Sequence, residues 1–382
     1  MKKIKLKEIF EIKKGKKVEP VDESFPNKVR YIQIEDLRDD RSVKYCFHDD
    51  NYVYANSESI IIAWDGANAG TVSYGLEGAI GSTLAVLEAK TKDIYIPFVG
   101  KFLQSKFQYL RDTCTGATIP HISRKALENL LIPMPSFEEQ VFISKILDKA
   151  QSLVERRKAQ IESLDQLTQS VFLEMFGDPI IISNKYNTVS LKDLCINISG
   201  GGTPSKSKPE YYLGEIPWVT PKDMKRLLID NSLQHISKEA IENSSAKIIP
   251  KNSVLMVVRS GILKKKLPLA INTREVAVNQ DMKAFTVNKE LINPEYLLFF
   301  FMFYQRKLLG KVRSVTADNL DFNDVKKIPV PVPKIELQNH FSKIFYDINK
   351  QKNNFQEQLT LLENNFNSLL QRAFKGELFT ER

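Results

Sequence analysis

Cysteine is scarce in this sequence. Cys46, Cys114 and Cys195 stand far apart and no C-x-x-C pair occurs. A disulfide framework and a cysteine zinc site are thereby excluded as organising features, and a reducing compartment suits the chain. The four histidines, His48, His121, His235 and His340, show no H-E-x-x-H or other ligand spacing, so no metal site is expected. Long apolar runs are missing too. The longest, Tyr296 to Tyr304, is nine residues, whereas a bilayer-spanning helix needs about 20. The basic start, Met1-Lys2-Lys3-Ile4-Lys5, leads into no apolar stretch of the secretory kind. The expectation is a cytoplasmic protein that makes no membrane contact. No G-x-x-x-x-G-K-[ST] loop is present, which removes the commonest nucleotide-phosphate cradle.

What is present is a duplication. Ile132-Pro133-Met134-Pro135-Ser136-Phe137-Glu138-Glu139-Gln140 returns as Val330-Pro331-Val332-Pro333-Lys334-Ile335-Glu336-Leu337-Gln338, 198 positions on. Near the start of the halves the offset is 185, pairing Leu6-Lys7-Glu8-Ile9 with Leu191-Lys192-Asp193-Leu194, so loops of unequal length interrupt a common scaffold. The chain of 382 residues, 42% hydrophobic, suffices for two or three cores. Four parts are expected: globular parts at 1–132 and 186–330, and helical segments at 133–185 and 331–382. The globular parts mix apolar strand-like runs, such as Ser59 to Trp64 and Ser253 to Val258, with short helices. That predicts a mixed α/β (α+β) class.

Each helical segment follows a Pro-x-Pro element, which bars helix on its N-terminal side. Ser136 and Glu139 form a capping-box pattern, and Gly177 and Gly376 mark the ends. A 4-3 stripe runs from Ile143, Leu147, Ala150 and Val154 to Met175, and from Phe341, Phe345 and Ile348 to Ala373. Eight of ten positions are apolar in the first and nine of ten in the second. Such a stripe predicts a long antiparallel two-helix coiled coil. At ~1.5 Å per residue it would be about 50 Å long and would separate the globular parts about a pseudo-two-fold axis.

The net charge of +9 is unevenly spread. Residues 1–132 carry 20 basic and 18 acidic side chains, and 186–330 carry 22 and 14. The excess clusters at Lys13, Lys14, Lys16 and Lys17, at Lys206 and Lys208, and at Lys264, Lys265 and Lys266. These are candidate phosphate contacts, with Gly15 and Gly261 beside two of the runs allowing close approach. Base reading needs forked or paired donors and acceptors. The candidates are Asn68, His121, Arg124 and Lys125 in the first half, and Arg259, Asn279, Gln280, Arg313 and Asn319 in the second. Ser199-Gly200-Gly201-Gly202-Thr203-Pro204-Ser205 reads as a flexible loop, able to face DNA.

One enzymatic pattern competes. Asp65 with Glu88-x-Lys90 has the carboxylate and lysine content of a Mg²⁺-dependent nuclease. The duplication argues against it, because Glu88 and Lys90 become Thr286 and Asn288, and Arg259 stands near the Asp65 position.

The order of features resembles the specificity (S) subunit of type I restriction–modification systems. The resemblance covers the whole chain. It rests on Ser199 to Ser205 followed by Ile216-Pro217-Trp218-Val219, on the two Pro-x-Pro junctions, and on the ending Ala373-Phe374-Lys375-Gly376-Glu377-Leu378. The resemblance implies two target-recognition domains, 1–132 and 186–330, each followed by a conserved spacer helix. It implies a non-catalytic subunit reading a bipartite, asymmetric sequence on double-stranded DNA. Two modification (methyltransferase) subunits and the restriction (endonuclease/translocase) subunits would be its partners. AdoMet, ATP and Mg²⁺ would belong to them, leaving no cofactor on this chain.

Overall fold

A computed structural model describes residues 1–39, 41–116, 118–181, 186–310, 313–314 and 318–378. The expected boundary at 185 and the side chain of Arg313 lie outside the described part. The chain forms two compact units, Met1–Lys158 with Glu357–Arg382, and Ala159–Gln356. Each long helix therefore contributes to both.

In the first unit, Lys3–Lys5 pairs antiparallel with Leu131–Pro133, joining the start of the globular part to its end. The central sheet is antiparallel, in the order Phe10–Lys14, Leu84–Ala89, Ser59–Ala63, Val72–Tyr74. Its inner strands are apolar on both faces because both faces are covered. Ile60, Ile62, Ala85 and Leu87 pack toward Phe98, Phe102 and Leu103 of the helix Ile96–Ser105. Ile61, Ala63, Leu84 and Val86 pack instead with Ile32, Ala55 and Ile80 of a second sheet. That sheet runs Pro20–Val21, Lys44–Phe47, Lys28–Ile32, Gly78–Ile80, Tyr54–Ala55, and its Lys28–Ile32 and Gly78–Ile80 strands are parallel.

The second unit repeats this order. Thr188–Ser190 pairs with Pro329–Pro331. The central sheet is Cys195–Gly200, Met282–Val287, Val254–Val257, Leu269–Asn272, with Leu228–Ile229 added at the edge. The second sheet is His235–Ile236, Ile216–Val219, Val276–Val278, Ile248–Ile249, again with one parallel pair in the middle. The helix Pro294–Leu309 covers the outer face. The duplication seen as an offset is thus a duplication of topology.

The long helices are Phe137–Phe176 and Ile335–Lys375. Gly177 (φ +80°) and Gly376 (φ +86°) stop them in the left-handed conformation that glycine tolerates. The Ser136 N–H donates to Glu139 Oε2 at 2.9 Å and the Glu139 N–H to Ser136 Oγ at 3.3 Å, completing the capping box. The glutamine one residue further has a role that the motif alone did not reveal. Gln140 is buried. Its Oε1 accepts from the Tyr95 N–H at 2.9 Å, and its Nε2 donates to the carbonyls of Asp93 and Pro135 at 3.1 Å each. Gln338 does the same with the Asn293 N–H (2.9 Å) and the carbonyls of Leu291 (3.2 Å) and Pro333 (2.8 Å). Each glutamine clamps its long helix to the loop that precedes the covering helix.

Within each unit the two helical stretches run antiparallel. In the first, Lys158 pairs with Glu363 at 2.8 Å, while Ile143 and Leu147 share a core with Ala373 and Leu370. In the second, Lys352 reaches Asp165 at 2.5 Å, and the Phe172 and Phe341 rings lie 5.3 Å apart. The stripe serves two partners, not the sister helix alone. Phe374 packs edge-on against Phe98 and Phe102, and Phe341 against Phe299. The covering helices have apolar faces of their own to bury, so the helix ends are shared with the globular parts.

Candidate nucleic-acid interface

At one end of each central sheet, three backbone segments meet in the same frame. In the first unit the N–H groups of Trp64 and Asp65 donate to the Thr83 carbonyl at 2.8 and 3.2 Å, and the Ile122 N–H donates to the Trp64 carbonyl at 2.9 Å. In the second, Val258 and Arg259 donate to the Asp281 carbonyl at 2.8 and 3.2 Å, and Leu320 to the Val258 carbonyl at 2.9 Å. The pairs Asp65/His121 and Arg259/Asn319 form matching isolated β-bridges. The frame equates Asp65 with Arg259, His121 with Asn319 and Thr83 with Asp281.

The side chains on this frame differ. In the first unit Asp65 is hydrogen-bonded to His121 Nδ1 at 2.6 Å and ion-paired with Lys14 Nζ at 2.9 Å. Burial pushes the Asp65 carboxyl up, but the bonds from His121 and Lys14 outweigh it and hold the group below the usual carboxylate range. Ionised Asp65 thus stabilises the fold above its unfolded value of about 3.9, and the contribution is lost as pH falls through the lower folded value. Asp65→Asn should flatten the acid limb of a melting-temperature series against pH. In the second unit Arg259 Nε contacts Asp281 Oδ1 at 2.6 Å, and Asn279 Nδ2 donates to Asp281 Oδ2 at 2.9 Å.

The glycine-rich stretch Ser199 to Ser205 is not the flexible loop expected. Trp218 Nε1 donates to the Gly202 carbonyl at 3.0 Å, the Tyr212 hydroxyl to the Pro204 carbonyl at 2.7 Å, and the Thr203 hydroxyl to Gln280 Oε1. A Cβ on Gly201 would fall 2.0 Å from the Val278 carbonyl oxygen. Gly15 occupies the same place in the first unit, where a Cβ would lie 2.2 Å from the Gly81 oxygen. Both glycines admit a neighbouring strand end.

The remaining candidates divide. Lys16, Lys17, Lys125, Lys206 and the run Lys264, Lys265, Lys266 are exposed. Lys13 is neutralised by Glu88 at 2.5 Å, Arg124 by Glu128 at 2.7 Å, and Lys208 sits on Tyr211, 3.0 Å from its hydroxyl. Asn68 is half-buried on the loop after Trp64. Asn279 is buried with its amide engaged by Asp281, so it shapes the turn. Gln280 and Asn319 are exposed beside Arg259, and the Arg313 backbone pairs with Asn319. Asp281 was missed, although it directly follows two selected residues; Arg259, the side chain it orients, stands 22 positions away in the sequence, so no local pattern signals the role.

The nuclease pattern does not assemble. Asp65 lies beyond the Leu84 end of the strand Leu84–Ala89, and Glu88 lies toward the other end, opposite Ser59 and Glu11. The separation along the strand is about 16 Å at ~3.3 Å per residue. Lys90 Nζ donates to the Lys7 carbonyl at 2.7 Å. Among the described residues no group of three or more His, Cys, Asp or Glu could hold a metal ion, and no helix is long and apolar enough to cross a membrane.

The family model for the type I restriction modification DNA specificity domain matches residues 1–163 and 183–363. The chain belongs to this family. The two matches of the specificity domain coincide with the two halves of the duplication. The specificity subunit of the EcoR124I/EcoR124II type I restriction enzyme from Escherichia coli is 33% identical over 233 residues, covering 58% of this chain and 56% of that protein. The MjaVIII specificity subunit from Methanocaldococcus jannaschii is 26% identical over 355 residues, covering 85% and 80%. A solved type I restriction-modification S subunit from M. genitalium shares the fold, with a TM-score of 0.59 at 17% identity over 98% of this chain and 96% of that one.

Proposed function

We propose that this chain is the DNA-reading subunit of a type I restriction–modification complex, each unit presenting its rim to one half of a bipartite, asymmetric duplex target. The observation that carries the reading is the shared backbone frame with unlike side chains: Asp65, His121 and Lys14 in one unit, Arg259, Asp281 and Asn319 in the other. One frame with two chemistries suits two different half-sites. The subunit itself is non-catalytic. Methyl transfer and cleavage, with AdoMet, ATP and Mg²⁺, are assigned to two modification subunits and to the restriction subunits, in the cytoplasm where the DNA lies.

The test is to express the chain with its modification partner and map methylated bases genome-wide. A two-part motif with a constant gap is expected. A single contiguous motif, or Mg²⁺-dependent cleavage by the chain alone, would contradict the reading. The exposed lysines supply sequence-blind attraction. Replacing Lys265 and Lys266 with alanine should leave the motif intact and weaken binding to all duplexes alike. If both touch phosphates, the slope of log K against log salt should fall by about 1.8, at ~0.9 per contact.

A further inference from the structure

The Arg259 seat carries an inference that rests on the DNA-reading assignment and names the base. Asp281 is fixed from two directions. Its backbone N–H donates to Asn279 Oδ1 at 3.1 Å, and its Oδ2 accepts from Asn279 Nδ2 at 2.9 Å. Its Oδ1 then holds Arg259 Nε at 2.6 Å, while its carbonyl accepts the Arg259 N–H at 3.2 Å. The arginine is therefore anchored at both its backbone and the inner edge of its guanidinium. Its side chain is 48% exposed, and among the described residues its two terminal nitrogens have no partner.

A guanidinium is a planar fork of five N–H donors. With Nε occupied, the remaining edge offers two parallel donors from the terminal nitrogens. That pair matches the N7 and O6 acceptors on the major-groove edge of guanine and no other base edge so well. We propose that Arg259, oriented by Asp281, reads a guanine in the half-site taken by the unit Ala159–Gln356. Arg259 is the contact; Asp281 is a positioning residue. The equivalent seat in the other unit holds Asp65, an acceptor already engaged by His121 and Lys14, so this mode of guanine reading is confined to one half-site.

The experiment uses the chain assembled with its modification partner and compares methylated motifs for the wild type, Arg259→Ala, Asp281→Asn and the double variant. Arg259→Ala should relax one guanine position of one half-site by about 10- to 100-fold in discrimination, leaving the other half-site unchanged. Asp281→Asn should relax the same position, and the double variant should be no worse than Arg259→Ala, since residues acting through one contact are not additive. Relaxation by Asp281→Asn at several positions, or additive losses, would give Asp281 a merely structural role. A motif unchanged in Arg259→Ala, with uniformly weaker and less salt-sensitive binding, would make Arg259 a phosphate contact and overturn the proposal. Relaxation at a base other than guanine would overturn it as well. Failure of the DNA-reading assignment looks different: the wild type itself would yield no two-part motif. Because Arg259 is exposed, its replacement is expected to leave the melting temperature unchanged, which separates loss of reading from loss of fold.

Discussion

Replacing Gln338 with leucine is expected to lower the melting temperature of the second unit by roughly 10–20 °C. The side chain is fully buried and satisfies three backbone groups, the Asn293 N–H and the carbonyls of Leu291 and Pro333. Leucine fills similar space but leaves all three without a partner. At about 1–3 kcal/mol for each unsatisfied buried group, the loss is roughly 3–6 kcal/mol after partial relaxation. For a unit of this size 1 kcal/mol corresponds to ~2–4 °C. Calorimetry of the purified protein would measure it, and a shift under ~3 °C would mean that water replaces the amide. Gln140→Leu should act alike on the first unit, where the Tyr95 N–H and the carbonyls of Asp93 and Pro135 lose their partner.

Gly201→Ala should relax the sequence requirement at the half-site read by the second unit while leaving much of that unit folded. The added Cβ would stand 2.0 Å from the Val278 oxygen and 2.2 Å from the Asn279 oxygen. Both are backbone atoms, so no side-chain rotation can relieve the clash, and the cost is about 3 kcal/mol or more. The segment displaced is the turn Asn279 to Asp281 that holds Arg259. Duplex binding by the assembled complex should lose specificity before the unit loses its circular dichroism spectrum. Wild-type selectivity in Gly201→Ala would show that the loop and the turn do not work together. Gly201 differs in this from a turn glycine: its role is room for a neighbouring strand end, and it has no positive φ.

The capping box at Ser136 and Glu139 and the helix stops at Gly177 and Gly376 were legible because local rules decide them: a side chain three residues from an N–H, and a residue free to turn left-handed. The alternative nuclease was wrong for an equally physical reason. Nothing in the spacing of Asp65, Glu88 and Lys90 says that a strand keeps the two carboxylates near opposite ends. Lysine runs gave a mixed return. Lys16, Lys17 and Lys265 are exposed, but Lys13 and Lys14 meet Glu88 and Asp65, acids more than 50 positions away in the chain.

Composition and periodicity by themselves determined the duplication, the class of the globular parts and the two long amphipathic helices. Those are properties of contiguous residues and of their recurrence at a constant offset. Only the tertiary structure decided which side chains meet: that Gln140 and Gln338 clamp helix to loop, that the helix stripes are shared with the covering helices, and that Asp281 orients Arg259. These depend on hydrogen bonds and packing between segments brought together by sheet order and register. A buried amide or a carboxylate has no local pattern until its partner arrives from elsewhere in the chain.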